Sequence, residues 1–373
     1  MELTLSQPDL ARLLALVGRA VSTRNVLPIL SHFLLVAHAD RVQIAATDLE
    51  LSLTGWLDAD ITQPGALAIP ARTFTELVNA LPKDTLRLSL NPLTQILSVR
   101  GAGSHTQLKG MDAQEFPPLP QGTTPVLKLP AAELKALLPQ VTLAASTDEA
   151  RPALTGVLVN GQESTLTFAA ADGYRLTERK LTCPALRQEL SLLIPARALH
   201  ELGRLLNGSA ETIELLISGP GQVLFRTPQF ELATQLLDAS FPDYAQVIPT
   251  QTRTTTLLPT AEFLKACKQA AIFARESAHT ARLNIIPGRA GEPGEVKISA
   301  QDDETGSHET CVEAVVAGEP LQIAFNVRYL REVLEVIPTP QVVLETNHPN
   351  TPGVVRPHGE TGYLCVLMPM HAG

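Results

Sequence analysis

The chain has 373 residues, 45% of them hydrophobic and 18% charged, with a formal net charge of −9. Such a composition belongs to a folded globular protein with room for two or three domains. No apolar run of about twenty residues exists that could cross a bilayer as a helix, and the acidic balance offers nucleic acid no overall attraction.

Residues 1–6 lack the basic-then-apolar plan of a signal peptide, so a cytoplasmic chain is expected. Leu10, Leu13, Leu14 and Val17 then form the apolar stripe of an amphipathic helix, with Arg12 and Arg19 off it. Strand-like runs follow at 34–37, 42–47, 49–56 and 66–69, separated by turn residues. The last run leads through Ile69-Pro70-Ala71-Arg72 into a second helical period, Phe74, Leu77, Val78 and Leu81.

This plan returns twice. Leu134, Leu137, Leu138 and Val141 make the next stripe, with Lys135 beside it, ahead of strands at 156–159, 165–170 and 175–181. Ile194-Pro195-Ala196-Arg197 then opens a helix on Leu199, Leu202, Leu205 and Leu206. In the third round Phe263, Leu264, Cys267 and Ala271 form the stripe, beside Lys265, Lys268 and Arg275. Strands at 282–286, 296–300 and 309–316 lead to Phe325-Asn326-Val327-Arg328 and the period Leu330, Val333, Leu334, Ile337. The junctions begin at 69, 194 and 325, a repeat of about 125 residues, which is the length of a domain rather than of a solenoid unit. Pro suits the first turn of a helix, and Asn is a good N-cap. The pairs Phe116-Pro117 and Phe241-Pro242 hold the same register and place linkers near 118–125 and 249–254. Each repeat therefore reads as helix, strands, helix, strands, an α+β pattern.

Catalytic signatures are poor. The chain has no phosphate loop, nucleophile elbow or His-Glu-x-x-His, and its nine histidines show no zinc spacing. The cysteines Cys183, Cys267, Cys311 and Cys365 are scattered and are expected to be free thiols. Asp48 and Glu50 lie two apart on a strand, as paired carboxylates could, although no partner base is in view. Asp302-Asp303-Glu304 reads as a solvated loop. The cations say more by placement. Arg72, Arg197 and Arg328 recur at one register, and Arg12, Arg19, Lys135, Arg204, Lys265, Lys268 and Arg331 lie off the apolar stripes. If the repeats gather these on one surface with the acids elsewhere, that surface is locally positive. Local potential then decides contact with nucleic acid.

Several tracts, in this order and spacing, resemble the beta subunit of bacterial DNA polymerase III, the sliding-clamp family, over essentially the whole chain. They are Leu27-Pro28-Ile29-Leu30, Thr47-Asp48-Leu49-Glu50, Ile69-Pro70-Ala71-Arg72, Ala171-Asp172-Gly173-Tyr174-Arg175-Leu176, Phe241-Pro242-Asp243-Tyr244, Phe325-Asn326-Val327-Arg328-Tyr329 and Met368-Pro369-Met370. The resemblance implies three repeated clamp domains, at 1–122, 123–250 and 251–373, each with two helices packed on antiparallel sheet. It implies a head-to-tail homodimer closed as a ring around duplex DNA, with no enzymatic activity, no cofactor and no metal. Implied partners are duplex DNA read without regard to sequence, the polymerase III alpha subunit, the clamp loader, and other polymerases and repair proteins.

Carried over by position, the DNA-facing residues are Arg24, Arg72, Arg151 and Arg197, and the subunit contact joins Thr106 and Leu108 to Ile272 and Phe273. The family's pocket for short linear peptides, between the second and third domains, maps to Leu154, Gly173, Tyr174, Arg175, Leu176, Pro242, Val247, Val366 and Met368, adjoined by Asn326, Tyr329, His348, Pro369 and Met370. The chain departs from the family at Ala171 and Tyr174 on the pocket rim, at Pro152-Ala153 where relatives carry aromatics, and at its His371-Ala372-Gly373 ending. Two other readings stay open from the residues alone: a peptide-binding repeat scaffold that never encircles DNA, and a hydrolase centred on Asp48 and Glu50.

Overall fold

The computed structural model describes the chain apart from residues 23–26, 102, 123, 185, 187–188, 207–210, 220, 290–291, 303, 305 and 371–373. The element order repeats three times. The first repeat runs β1 (Glu2–Ser6), α1 (Gln7–Val17), β2 (His32–Ala37), β3 (Arg41–Thr47), β4 (Leu51–Asp58), β5 (Asp60–Gln63), β6 (Gly65–Pro70), α2 (Ala71–Ala80), β7 (Thr85–Asn91), β8 (Ile96–Gly101) and β9 (Ser104–Lys109). The second runs β10 (Pro125–Pro130), α3 (Ala131–Thr142), β11 (Gly156–Gln162), β12 (Thr165–Ala171), β13 (Arg175–Thr182), β14 (Leu190–Pro195), α4 (Ala196–Leu205), β15 (Thr212–Ser218), β16 (Gln222–Arg226) and β17 (Phe230–Gln235). The third runs β18 (Thr254–Pro259), α5 (Thr260–Phe273), β19 (Thr280–Ile286), β20 (Gly294–Asp302), β21 (Gly306–Gly318), β22 (Leu321–Asn326), α6 (Val327–Glu335), β23 (Gln341–Thr346), β24 (Gly353–Pro357) and β25 (Tyr363–Leu367).

Each repeat thus opens on a strand, not on the helix expected from the apolar stripes. The signal is a period of two: Leu3 and Leu5 are buried in β1, Leu127 and Leu129 in β10, and Thr254, Thr256 and Leu258 in β18. The stripes of α1 and α3 are buried as their periodicity predicts. That of α5 is rotated. Phe263 and Cys267 are buried with Ala266 and Ala270, while Leu264 and Ala271 are only half-buried. At the junctions Pro70 is the N-cap and last strand residue rather than part of the first turn. Asn326 caps α6 as expected, its side chain accepting from the N–H groups of Arg328 and Tyr329.

Two compact units can be described separately. The first comprises residues 1–135 and 197–236, the second 136–196 and 237–373. In the first, a five-stranded sheet runs β5-β1-β7-β8-β9 and an eight-stranded sheet β10-β15-β16-β17-β4-β3-β2-β6. The second holds one series of twelve strands, β14-β11-β12-β13-β25-β24-β23-β18-β21-β20-β19-β22. One pairing rule recurs in both. The closing strand of a repeat adds, antiparallel, to the third meander strand of the repeat before it: β17 to β4, from Phe230–Gly55 to Thr234–Leu51, and β25 to β13, from Tyr363–Arg179 to Leu367–Arg175. The rule leaves two strand edges over. β9 pairs only with β8, and residues 306–314 of β21 pair only with β20, among the described residues.

Candidate functional site

The helix that follows each junction carries an arginine two residues past the cap and a glutamate four residues later: Arg72 and Glu76, Arg197 and Glu201, Arg328 and Glu332. That spacing puts both on one helix face. Arg72 Nε lies 2.8 Å from Glu76, and Arg328 Nε 2.9 Å from Glu332. Arg197 instead reaches Asp48 at 2.7 Å and Glu50 at 3.9 Å, while Glu201 takes Arg19 at 3.1 Å and Arg204 at 2.9 Å. The expectation that acids lie away from the cationic helices is therefore wrong. Glutamates stand beside the arginines on the same faces. Arg151 also pairs, with Asp148 at 2.9 Å, and reaches the Asp172 carbonyl at 3.3 Å. Arg24 falls outside the described residues. Exposed pairs of this kind contribute little and exchange readily for another anion.

Asp48 and Glu50 do not form a carboxylate dyad on a strand. They belong to the turn before β4, where Asp48 Oδ1 accepts from the N–H groups of Glu50 and Leu51 and Leu49 takes a φ of +79°. The acid pair is spent on a turn and on Arg197. Asp302, expected in a solvated loop, is buried at the end of β20 and accepts from the Glu304 N–H, and Asp303 is outside the described residues. Among the described residues no group of three or more His, Cys, Asp or Glu could hold a metal ion, and no helix is long and apolar enough to cross a membrane. All four cysteines are free, and only Cys311 is exposed.

The residues mapped to a peptide pocket all lie in the second unit. Their floor is an apolar cluster built on the β13–β25 pairing, where Leu176 faces Val366 across the ladder. Leu176, Val366, Val354 and Leu364 are buried together, with Ala171, Tyr244 and Ile248 packed against them. Exposed side chains ring this floor: Tyr174 at 59%, Val247 at 40% and Met368 at 39% relative exposure. Three such apolar groups in water beside a buried cluster are what a docking groove requires. The C-terminal segment is fixed beside it where the Met368 N–H donates to the Tyr174 carbonyl at 2.9 Å, and continues to β22, where the Met370 N–H donates to the Ala324 carbonyl at 2.8 Å and Met370 lines a cavity with Thr280 and Arg282. Gly173 sits at φ +93°, a conformation that suits glycine, and an added Cβ would stand 3.1 Å from Arg151 Nη1.

Arg175 plays another part than the one its position suggests. It is 7% exposed, so a docking peptide cannot reach its charge. Its Nε donates to Asp172 at 3.0 Å and its Nη1 to Glu332 at 2.5 Å, and its guanidinium stacks 4.2 Å from the centre of the Tyr329 ring. It therefore fastens β13 to α6 and positions Tyr329. Burial alone would raise the Glu332 carboxyl, but the hydrogen bonds from Arg328 and Arg175 outweigh it and hold the group below its ordinary value. Tyr244 donates to Glu178 at 2.8 Å, and burial followed by that bond pushes its phenol upward.

Leu154 is half-buried on a short 3-10 turn, and Pro242, Pro369 and Asn326 are not part of the buried cluster. His348 is exposed in a turn closed by Thr351 and makes no side-chain hydrogen bond to the set among the described residues. Tyr244, Ile248, Val354 and Leu364 were missed. Tyr244 ends the Phe-Pro-Asp-Tyr tract and could have been found there. The other three are ordinary apolar residues until β13 and β25 are known to pair. Thr106 and Leu108 lie on the edge strand β9. Ile272 is 58% exposed at the end of α5, whereas Phe273 is half-buried and stacks on His308 with ring centres 5.6 Å apart.

With this geometry in hand, comparison with known proteins is decisive. Three family profiles match in succession: the DNA polymerase III beta subunit N-terminal domain over residues 1–120, its central domain over 128–243 and its C-terminal domain over 245–371. The chain belongs to the DNA polymerase III beta subunit family. Curated relatives named beta sliding clamp include those of Synechococcus elongatus, 34% identical over 99% of both chains, and Bacillus subtilis, 31% identical over 99% of both. The crystal structure of the Bacillus subtilis sliding clamp superposes with a TM-score of 0.94 at 28% identity, covering 100% of both chains. A Pseudomonas aeruginosa clamp solved with griselimycin bound gives 0.92 at 28% identity, again covering 100% of both. The family is one of replication processivity factors, not of enzymes, which removes the hydrolase reading.

Proposed function

We propose that two copies of this chain close head to tail into a ring around duplex DNA, and that the ring tethers a replicative polymerase through the groove on the β13–β25 floor. The observation that carries the ring is the unfinished pairing rule. β17 completes β4, and β25 completes β13, within one chain. β9 and residues 306–314 of β21 are the one closing strand and the one acceptor left without that partner. Exposed edges of this length are a hazard unless covered, and β9 of one copy added to β21 of a second covers both, twice over by symmetry. Thr106 and Leu108 then sit on the added strand, with Ile272 and Phe273 beside the acceptor.

In this reading the chain divides into domains at 1–122, 123–250 and 251–373. Arg24, Arg72, Arg151 and Arg197 approach DNA by contacting phosphates, so binding is independent of sequence and falls with salt. Retention comes from topology, which is why a protein of net charge −9 can serve. The groove takes short peptides of the polymerase alpha subunit, the clamp loader and other DNA polymerases and repair proteins in the cytoplasm. Its walls of Leu, Val and Met adapt to related sequences. The test is mass in solution together with retention on circular against linear DNA. A dimer held on nicked circles and lost when they are cut supports the ring. A monomer at micromolar concentration with no topological retention replaces it with the peptide-binding scaffold.

A further inference from the structure

In the third repeat, α5 and α6 pack together and leave a cleft of about 210 Å³ between them. Its lining is Lys268, Ala271, Ile272, Arg275, His279, Arg328 and Arg331. Four permanent cations and an imidazole converge on one small space. The carboxylates that face them are Glu332 and Glu335. Glu335 holds Lys268 at 3.1 Å and stands 4.0 Å from Arg331. Glu332 is shared between Arg328 at 2.9 Å and Arg175, which comes from β13 outside the cleft. Positive charge is therefore left over. Arg275 and His279 have no side-chain hydrogen bond or ion pair among the described residues, and the buried Nε–H of Arg331 has no acceptor. A buried donor without an acceptor is costly, and guanidinium groups around a small cavity match the oxygens of a phosphate.

We propose that this cleft is a phosphate-binding site that grips one backbone phosphodiester of the duplex, with Arg275 and Arg331 as its principal donors. The proposal rests on the reading of the chain as a clamp whose helices face DNA. It goes further by locating the hold in one cleft of the third repeat, apart from Arg24, Arg72, Arg151 and Arg197. Arg328 is kept at its rim by Glu332, and Lys268 by Glu335, so both side chains are already in place when the anion arrives.

The test is duplex binding by the full-length protein, followed by fluorescence anisotropy across a salt series. Each phosphate contact removed lowers the slope of log affinity against log salt by about one. Arg275→Ala and Arg331→Ala, made separately, are each expected to lower it by about that amount, while Arg289→Ala, on an exposed loop, leaves it unchanged. Dimer mass is measured in parallel because Ile272 borders the cleft. Wild-type protein that shows no salt-dependent binding defeats the clamp reading itself. Wild-type binding with unchanged slopes in both variants overturns the cleft alone. Loss of the dimer in both variants assigns the cleft to the subunit contact and also overturns it. Titration with inorganic pyrophosphate separates the remaining source of phosphate: heat of binding lost in both variants with their duplex slopes intact makes this a site for free phosphates and refutes the DNA assignment.

Discussion

Replacing Arg175 should loosen the partner groove without touching any surface a peptide contacts. The side chain is 7% exposed and joins Asp172, Glu332 and the Tyr329 ring. Arg175→Met keeps the length and removes the charge. Breaking a buried pair by deleting one partner costs about 3–5 kcal/mol, because the other charge stays buried. Here the lower end applies. Glu332 keeps Arg328 at 2.9 Å, and Asp172 keeps the backbone N–H groups of Tyr174 and Arg175 at 2.8 and 2.9 Å. A loss of about 3 kcal/mol in local opening free energy is expected, read by amide exchange in α6 and β25. Tyr329 loses its stacked cation, so affinity for a Gln-Leu-x-Leu-Phe type peptide should fall about tenfold. In Arg175→Met with Glu332→Leu, no carboxylate is stranded at α6, and much of the loss should return. Exchange rates in Arg175→Met within about 1 kcal/mol of wild type would refute the role given to this residue.

Met368→Ala removes a rim group that a peptide would bury, which is worth about 1–2 kcal/mol at its partial exposure, and truncation of 368–373 should abolish peptide binding while the dimer mass is kept. Ile272→Ala with Phe273→Ala should give folded monomers, and a double mutant still dimeric by light scattering at low micromolar concentration would remove these residues from the subunit contact. The Glu332 carboxyl is held below its ordinary 4.5 in the folded chain, so its contribution is complete above about that pH and lost as pH falls through the lowered value. Amide exchange in α6 should therefore speed up below about pH 4.5, and less so in Glu332→Gln. Burial pushes the Cys365 thiol up to about 12, and Cys183 and Cys267 are also buried, so a thiol reagent at neutral pH should modify one cysteine per native chain, Cys311.

Much of the fold was legible because the repeat is written twice over, in the helical stripes and in the strand-to-helix junctions. The opening strands were not, because five or six residues with two or three buried side chains fall below the weight of the helix that follows them. The apolar cluster of the second unit was singled out as a candidate groove only through family likeness. Leu176, Val366, Val354 and Leu364 are apolar residues in strands, and nothing local distinguishes them from core. What makes them a floor is that β25 crosses to β13, a pairing between residues nearly two hundred positions apart. Arg175 shows the opposite failure. Its position in the tract marked it for partner contact, yet a charge with Asp172 three residues before it can equally be a buried tie.

The charge pattern follows from one requirement. A clamp must stay on DNA without stopping on it, so each cationic helix face should be able to meet a phosphate and let it go. In the proposed reading, a carboxylate beside each junction arginine provides this. An arginine released from a phosphate finds a carboxylate within reach, on its own helix for Arg72 and Arg328 and on the turn at Asp48 for Arg197. Replacing Glu76 with Gln should remove that competitor from Arg72, tighten duplex binding and steepen its salt dependence. The gain from removing this one negative charge, about a few tenths to 1 kcal/mol, is read as a rightward shift of the anisotropy curve on the salt axis. An unchanged curve in Glu76→Gln, with the Arg72→Ala curve shifted leftward, would show that the glutamate does not compete and that the spacing serves helix stability alone.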